Sequence, residues 1–295
     1  MITVSELKTK SSAEIFDILN GLYEKSPWVA EEISKNNMIN DKCNDDSVTT
    51  LATALKDIVE SASYDKKLEL IRAHPDLASK ASIAKEMTLE SQDEQKRAGL
   101  NSLTEDEMIL FNQYNEEYKN KFGFPFILAV RNVTKYTILA AMNGRLKNNP
   151  QIEFEQCLSQ IHKIAWMRLL TKVQFKPIGF LTCHILDTAN GCPAANLKVT
   201  LNRIDGATGN KTIIKEFITN SDGRTGKALD GEDFTPGIYE WIFYCGSYFA
   251  AKGLYTTGTP FLDEIPIRFG IDNPEDHYHV PLLVSPWSFS TYRGS

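Results

Sequence analysis

The chain has 295 residues, 42% of them hydrophobic and 24% charged, which is the balance of a globular protein long enough for two domains. A net charge of -6 without clusters of Lys or Arg argues against nucleic acid or an anionic membrane as a partner. No apolar run is long enough to span a membrane, and MITVSELKTK lacks the core of a secretory signal. We therefore expect a cytoplasmic protein; its terminal RGS is not the peroxisomal SKL signal, although other routes into that organelle stay open.

Residues 1–174 have the pattern of an all-α domain. Capping boxes begin two helices, at Ser11 with Glu14 and at Thr104 with Glu107, and apolar residues follow each box at helical spacing. Further helices are predicted at 47–61, 64–72, 91–99, 134–147 and 153–172. Glycine and proline interrupt the helical pattern in the segments HPDL and FGFPF. We expect this half to form a helical bundle.

Residues 175–295 have the pattern of an all-β sandwich, in which short runs rich in Val, Ile, Thr, Phe and Tyr alternate with turn clusters such as TANGCP, SDGRTG and FTPG. In the run FLTCHILDT, a period of two puts His184 on the face opposite Cys183 and its apolar neighbours. In HYHVPLLV, His277 and His279 likewise lie opposite an apolar face. The change of pattern predicts a domain boundary near residue 175.

The cysteines are scattered and include no C-x-x-C pair; they are Cys43, Cys157, Cys183, Cys192 and Cys245. This spacing predicts reduced thiols in a cytosol-like compartment, and neither a disulfide framework nor a zinc site. His277 and His279 could form a metal-binding pair, but no third ligand stands at a suitable spacing. The sequence therefore predicts no metal.

The histidine-bearing face of the β half is partly apolar, and the segment SFSTYR adds Ser290 and Tyr292 to it. A second subunit covering this face would explain its composition, so we expect a homo-oligomer with a cleft at a symmetry axis. The alternative is that His184 and His279 are ordinary surface histidines and that Arg224 lies in an exposed turn. The residue pattern by itself favours that alternative.

Five segments of the β half resemble the 5-hydroxyisourate hydrolases, transthyretin-related enzymes of urate breakdown: CHILDTANGCPA, TNSDGRTG, PGIYEWIF, PFLDEIPIRFGI and HYHVPLLVSPWSFSTYRGS, whose terminal YRGS is the specific signature. The resemblance implies that His184, Arg224 and His279 are catalytic. The residues implied to shape the pocket are Ser290, Tyr292 and Ser295. A tetramer is also implied, in which the chain end lines a cleft between subunits. Transthyretin itself lacks the catalytic trio and the YRGS end.

These residue types suit the implied reaction. Opening the ring of 5-hydroxyisourate needs a water aimed at a carbonyl, a base with a pKa near the operating pH, and positive charge where the oxyanion forms. Imidazole can supply the base and guanidinium the charge, so no metal is required. We assign water positioning and proton transfer jointly to His184 and His279, without choosing a primary base.

In the helical half, Arg168 continues an apolar stripe that begins at Phe154, so its guanidinium is expected on the buried face of a helix. The same arginine could instead reach the helix edge or pair with a structural carboxylate. His74 precedes Pro75 in a turn, where it could be a bystander. Glu94 could serve only in a capping box.

The segments LYEKSPWVAE, IRAHPDLA, SQDEQKRAGL and NKFGFPFILAVR, with the Arg168 helix, resemble the 2-oxo-4-hydroxy-4-carboxy-5-ureidoimidazoline (OHCU) decarboxylases over residues 11–172. The resemblance implies that His74 and Glu94 are catalytic and that Arg168 binds substrate. The residues implied to line the pocket are Pro75, Gln95, Phe126 and Ile127. Because the C=N group of OHCU can accept the electron pair left by carbon dioxide, no cofactor is expected.

The two resemblances are to enzymes of consecutive reactions, as in the fused allantoin synthases. Together they predict a bifunctional enzyme without cofactors, acting on small purine-derived molecules, that hydrolyses 5-hydroxyisourate and then decarboxylates OHCU to (S)-allantoin. Two hypotheses compete with this interpretation: a transthyretin-like binding or scaffold protein, and an enzyme in which only one half is active.

Overall fold

The chain folds as two units, Met1–Phe175 and Lys176–Ser295. The computed structural model describes residues 1–35, 38–77, 100, 103–131, 133–206, 208–254 and 258–294. Within these residues, no helix is both long and apolar enough to cross a membrane.

The first unit is helical where the structure describes it, which confirms the predicted all-α class. Its helices are α1 (Val4–Lys8), α2 (Ser12–Leu19), α3 (Trp28–Ser34), α4 (Met38–Lys42), α5 (Val48–Glu60), α6 (Tyr64–Arg72), α7 (Glu105–Phe122), α8 (Lys135–Arg145) and α9 (Pro150–Lys172). A short parallel pair, β1 (Ile2–Thr3) with β2 (Val173–Gln174), was not foreseen.

The predicted capping boxes are both present. The Ser11 side chain accepts a hydrogen bond from the Glu14 N–H and the Thr104 side chain accepts one from the Glu107 N–H, while each glutamate bonds back to its cap. The sequence did not predict α1, α3 and α4, since helices of five to seven residues are too short to establish a period. The predicted helix at 91–99 lies outside the described residues.

The second unit is built mainly of strands, as predicted, with an unforeseen α-helix among its described residues. Its strands are β3 (Phe180–Asp187), β4 (Cys192–Pro193), β5 (Lys198–Ile204), β6 (Lys211–Ile218), β7 (Arg224–Asp230), β8 (Gly237–Tyr244), β9 (Glu264–Ile271), β10 (His277–His279), β11 (Leu282–Val284) and β12 (Phe289–Thr291), and its helix is α10 (Cys245–Ala251).

The strands form two sheets around an apolar core, which confirms the predicted sandwich. One sheet has the order β6-β5-β8-β9, and the other is centred on β3. Strands β10 and β11 lie parallel to β3, while β7 and β4 pair with it antiparallel. Buried side chains from both sheets, among them Leu181, Cys183, Ile185, Trp241 and Phe243, fill the space between them.

Candidate active sites

Three strands of the β3 sheet bring the predicted polar residues of the second unit together. His184 of β3 is the register partner of Arg224 of β7, and His279 of β10 is the partner of Thr182, two residues before His184. Residues two apart on a strand share a face, so all four side chains lie on the side of the sheet away from the core. The predicted alternation in FLTCHILDT is confirmed, because its core-facing residues are buried and Thr182 and His184 are only half-buried.

The turn before β7 fixes the backbone of Arg224. The Asn220 side-chain oxygen accepts hydrogen bonds from the N–H groups of Asp222 and Arg224 at 3.0 and 2.9 Å. Gly223 has φ +71, and a Cβ there would stand 2.3 Å from the Ile185 carbonyl oxygen, so the turn requires glycine. The motif SDGR thus presents a guanidinium next to His184.

The chain end returns to the same sheet beside His279. The Gly294 N–H donates to the His279 carbonyl at 2.8 Å. A Cβ at Gly294 would stand 2.6 Å from Cδ2 of the His279 ring. Glycine in the YRGS segment therefore leaves space for this imidazole.

Both imidazoles are neutral at pH 7. Burial lowers the pKa of His184 from the usual 6.5, and the neighbouring Arg224 charge lowers it further. Burial, followed by the same arginine, also lowers the pKa of His279. A neutral ring has a nitrogen lone pair, so each histidine can accept a proton from water while Arg224 supplies the positive charge.

The remaining predicted residues of this site lie along the chain end. Ser290 of β12 pairs in register with Leu283 of β11, and its side chain is exposed. Tyr292 is 58% exposed in the single chain. Ser295 lies outside the described residues.

In the first unit, His74 follows α6 and is 8% exposed. Its Nδ1 lies 2.9 Å from the Leu70 carbonyl oxygen; because a carbonyl can only accept, Nδ1 carries the proton and Nε2 keeps its lone pair. Burial lowers the pKa of His74 to about 4, against the opposing effects of this hydrogen bond and the charge of Glu24. His74 is therefore neutral at pH 7, with a lone pair on Nε2 that can accept a proton. Pro75 is half-buried next to it.

Arg168 lies on the buried face of α9, as its position on the stripe predicted, and is 4% exposed. Its Nη1 lies 2.9 Å from Oε2 of Glu24 and 3.2 Å from the Gly21 carbonyl. The arginine thus pairs with a buried carboxylate, one of the alternatives left open by the sequence. The charge of Glu24 raises the pKa of His74 and that of Arg168 lowers it, so both charged groups lie within electrostatic range of this imidazole.

Among the described residues of this site, Glu24 was missed by sequence reasoning. It is 1% exposed and lies in the resembling segment LYEKSPWVAE. A buried acid needs a partner, but the partner is 144 residues away along the chain, so no local spacing could identify it. Its position within a family-like segment was the available signal.

We expect Glu24→Ala to lower the free energy of unfolding of the helical unit by about 3 to 5 kcal/mol, because it leaves the buried Arg168 without its carboxylate. Urea denaturation followed by circular dichroism at 222 nm measures this loss. The control is Glu32→Ala, which removes an exposed ion pair with Lys35 at 3.6 Å and should cost less than about 0.5 kcal/mol. Equal denaturation midpoints for the two variants would contradict the expectation.

The segment around Phe126 and Ile127 is held by a second buried ion pair. Arg145 lies 2.5 Å from the fully buried Glu153, donates to the Ile127 carbonyl at 2.6 Å, and stacks 4.4 Å over the Phe126 ring. Tyr118 also hydrogen-bonds Glu153. Phe126 and Ile127 have buried side chains, and this network fixes the main chain at Ile127. Glu94 and Gln95 lie outside the described residues.

Comparison with known proteins identifies the class of each unit. Residues 8–170 match the family model described as OHCU decarboxylase, and residues 181–294 match that of the HIUase/Transthyretin family. The chain belongs to the OHCU decarboxylase family and, through its second unit, to the HIUase/transthyretin family.

Individual relatives resemble one unit or the whole chain. The 5-hydroxyisourate hydrolase of Pseudomonas aeruginosa is 48% identical over 121 residues, which are 41% of this chain and 94% of that protein. The OHCU decarboxylase of Haloferax volcanii is 37% identical over 168 residues, 57% of this chain and 94% of that one. A crystal structure of (S)-allantoin synthase is similar over 100% of both chains, with 50% identity and a TM-score of 0.84.

Proposed function

We propose that this chain is a bifunctional enzyme of urate degradation. Residues 175–295 hydrolyse 5-hydroxyisourate, and residues 1–174 decarboxylate the resulting OHCU to (S)-allantoin. The observation that carries the proposal is the placement of His184, Arg224 and His279 on one face of adjacent strands, in a chain similar over its full length to (S)-allantoin synthase. A binding or scaffold protein has no need of two neutral imidazoles beside a guanidinium.

Hydrolysis uses the polar face of the β3 sheet. One neutral imidazole, of His184 or His279, accepts a proton as water attacks a ring carbonyl, and Arg224 stabilises the oxyanion that forms. Collapse of this intermediate breaks the ring C–N bond, and the imidazolium returns its proton to the departing nitrogen. Ser290, Tyr292 and Ser295 shape the pocket around the substrate.

Decarboxylation uses the buried site of the first unit. Nε2 of His74 accepts a proton from the substrate, the C–C bond to the carboxylate breaks, and the electron pair enters the C=N group. Arg168, held by Glu24, binds substrate oxygens, and Glu94 orients His74 or a substrate N–H. His74 then delivers its proton to one face of the planar intermediate. Pro75, Gln95, Phe126 and Ile127 line the pocket.

One coupled assay tests both activities. Urate oxidase generates 5-hydroxyisourate, the protein is added, and absorbance and circular dichroism are recorded together. Rapid loss of 5-hydroxyisourate absorbance reports the hydrolase, and the appearance of an allantoin dichroism signal reports the decarboxylase. A binding protein would change neither rate, and an enzyme with one active half would change only one.

We expect the protein to form a tetramer through the second unit, because the polar face is flanked by exposed apolar side chains. Trp287, Phe289 and Tyr292 are 64%, 47% and 58% exposed in the single chain. Light scattering should give about four times the chain mass of 33.2 kDa, and Phe289→Asp should lower both this mass and the hydrolase rate. The control is Ile213→Asp, at a 63% exposed position on the other sheet. A fully active monomer would refute the tetramer.

A further inference from the structure

Thr182 lies between two imidazoles of the β3 sheet. Its Oγ1 is 2.8 Å from Nε2 of His277 and 2.9 Å from Nδ1 of His279. This bridge follows from the parallel register of β10 on β3, in which His277 is opposite Phe180 and His279 is opposite Thr182. His277 is further held by stacking on the Phe180 ring at 4.2 Å between centroids.

The bridge links the protonation of the two rings. A threonine hydroxyl has one proton, so it can donate to only one of these nitrogens and must accept from the other. When both rings are neutral, a proton on Nδ1 of His279 therefore requires Nε2 of His277 to be unprotonated, and the reverse holds as well. With Nδ1 bonded to Thr182, Nε2 is the nitrogen of His279 that remains for a water.

We propose that Thr182 and His277 form a proton relay behind His279 in the hydrolysis of 5-hydroxyisourate, an inference that rests on the proposed hydrolase function. As water attacks the substrate, Nε2 of His279 takes its proton. The proton on Nδ1 of His279 moves to Thr182, and the original hydroxyl proton moves to Nε2 of His277. One proton leaves water, His279 and Thr182 stay neutral, and His277 becomes the cation.

The relay moves positive charge away from Arg224. The residue of β3 that pairs with Arg224 is His184. His279 pairs with Thr182, two residues before His184, whereas His277 pairs with Phe180, four residues before it. At about 3.3 Å per residue, this adds about 7 Å of separation along β3. Two neighbouring cations repel each other. A proton on His277 therefore repels the Arg224 guanidinium, which stabilises the oxyanion, less than a proton on His279 would. The return of the proton along the same path supplies the departing nitrogen.

Substitution of the hydroxyl alone tests the relay. Thr182→Val keeps the size and β-branching of the side chain and removes the hydroxyl, so kcat for hydrolysis should fall at least about tenfold while KM changes less than about twofold. Thr182→Ser restores the hydroxyl and should stay within about threefold of the wild type. A serine variant as slow as the valine variant, or a valine variant with wild-type kcat, overturns the relay.

A double variant separates a relay from two independent contacts. His277→Phe keeps a ring against Phe180 without a proton acceptor and should match Thr182→Val in kcat. Because either substitution alone already stops proton transfer through the relay, the double variant should be no slower than either single variant. If the two decreases in kcat instead multiply in the double variant, the proposal is wrong.

His279→Ala distinguishes failure of the relay from failure of the hydrolase assignment. If His279→Ala is inactive and Thr182→Val is not impaired, only the relay is wrong. If His279→Ala keeps full hydrolysis, the relay fails together with the assignment of His279 to the hydrolase site, while the hydrolase function itself stands. Production of allantoin from OHCU by every variant, at the wild-type rate, reports that the first unit is folded, and a wild-type circular dichroism spectrum reports the same for the second unit.

Discussion

We expect His184→Ala, Arg224→Ala and His279→Ala each to lower the rate of 5-hydroxyisourate hydrolysis by at least about a hundredfold, the usual effect of losing an acid–base group or an oxyanion donor. The three residues lie on one face of adjacent strands, so the loss of any one leaves the other two in place without completing the reaction. The loss of 5-hydroxyisourate absorbance, corrected for the spontaneous rate, measures the effect.

The second activity provides an internal control for these variants. Decarboxylation of OHCU should continue, because its proposed residues belong to the other unit. Arg268→Ala is the matched arginine variant: it removes a guanidinium that binds Glu240 on the opposite sheet at 3.1 Å and should leave hydrolysis near the wild-type rate. Near-normal hydrolysis in all three site variants would show that the assigned residues are wrong.

The second large effect concerns stereochemistry. Decarboxylation of OHCU in free solution protonates a planar intermediate from both faces, so optically active allantoin requires a proton donor fixed on one side. His74 is fixed by burial and by its hydrogen bond to the Leu70 carbonyl. In His74→Asn, 5-hydroxyisourate should disappear at the normal rate, OHCU should decay slowly, and the allantoin dichroism signal should be almost absent.

A substitution in the same turn controls for local disturbance. Asp76→Asn removes one acidic partner of Lys119, at 2.9 Å, while leaving His74 and Pro75 in place, and it should keep a strong allantoin signal. If His74→Asn still gives optically active allantoin at the wild-type rate, His74 is a bystander in its loop and the proton comes from another group.

Much of the fold followed from patterns that are local in the chain. The period of two in FLTCHILDT placed His184 opposite the core, and the helical stripe placed Arg168 on a buried face; both were confirmed. Capping boxes at Ser11 and Thr104 gave two helix starts correctly. Each of these features is encoded by residues close together in the chain. The local pattern of apolar and polar side chains is therefore enough to predict it.

The parts that the sequence did not reveal depend on contacts between distant segments. Alternation tells which face of a strand His279 occupies, but only the pairing of β10 with β3 places it beside Thr182. The pairing of Glu24 with Arg168 joins residues that lie 144 positions apart. No short motif encodes such a contact, so partners of this kind could be found only from the folded chain.

Helix α9 limits which insertions and deletions the sequence of this protein can tolerate. Its 23 residues hold Glu153, which fixes Arg145, and Arg168, which binds Glu24; these two positions are about 22 Å apart along the axis. One inserted residue between them would turn every later side chain by about 100° and carry Arg168 off the buried face. The proposed decarboxylase site therefore constrains the length of α9 more strictly than the identity of its exposed residues, so divergence within this helix should proceed by substitution, with insertions and deletions confined to the loops at its ends.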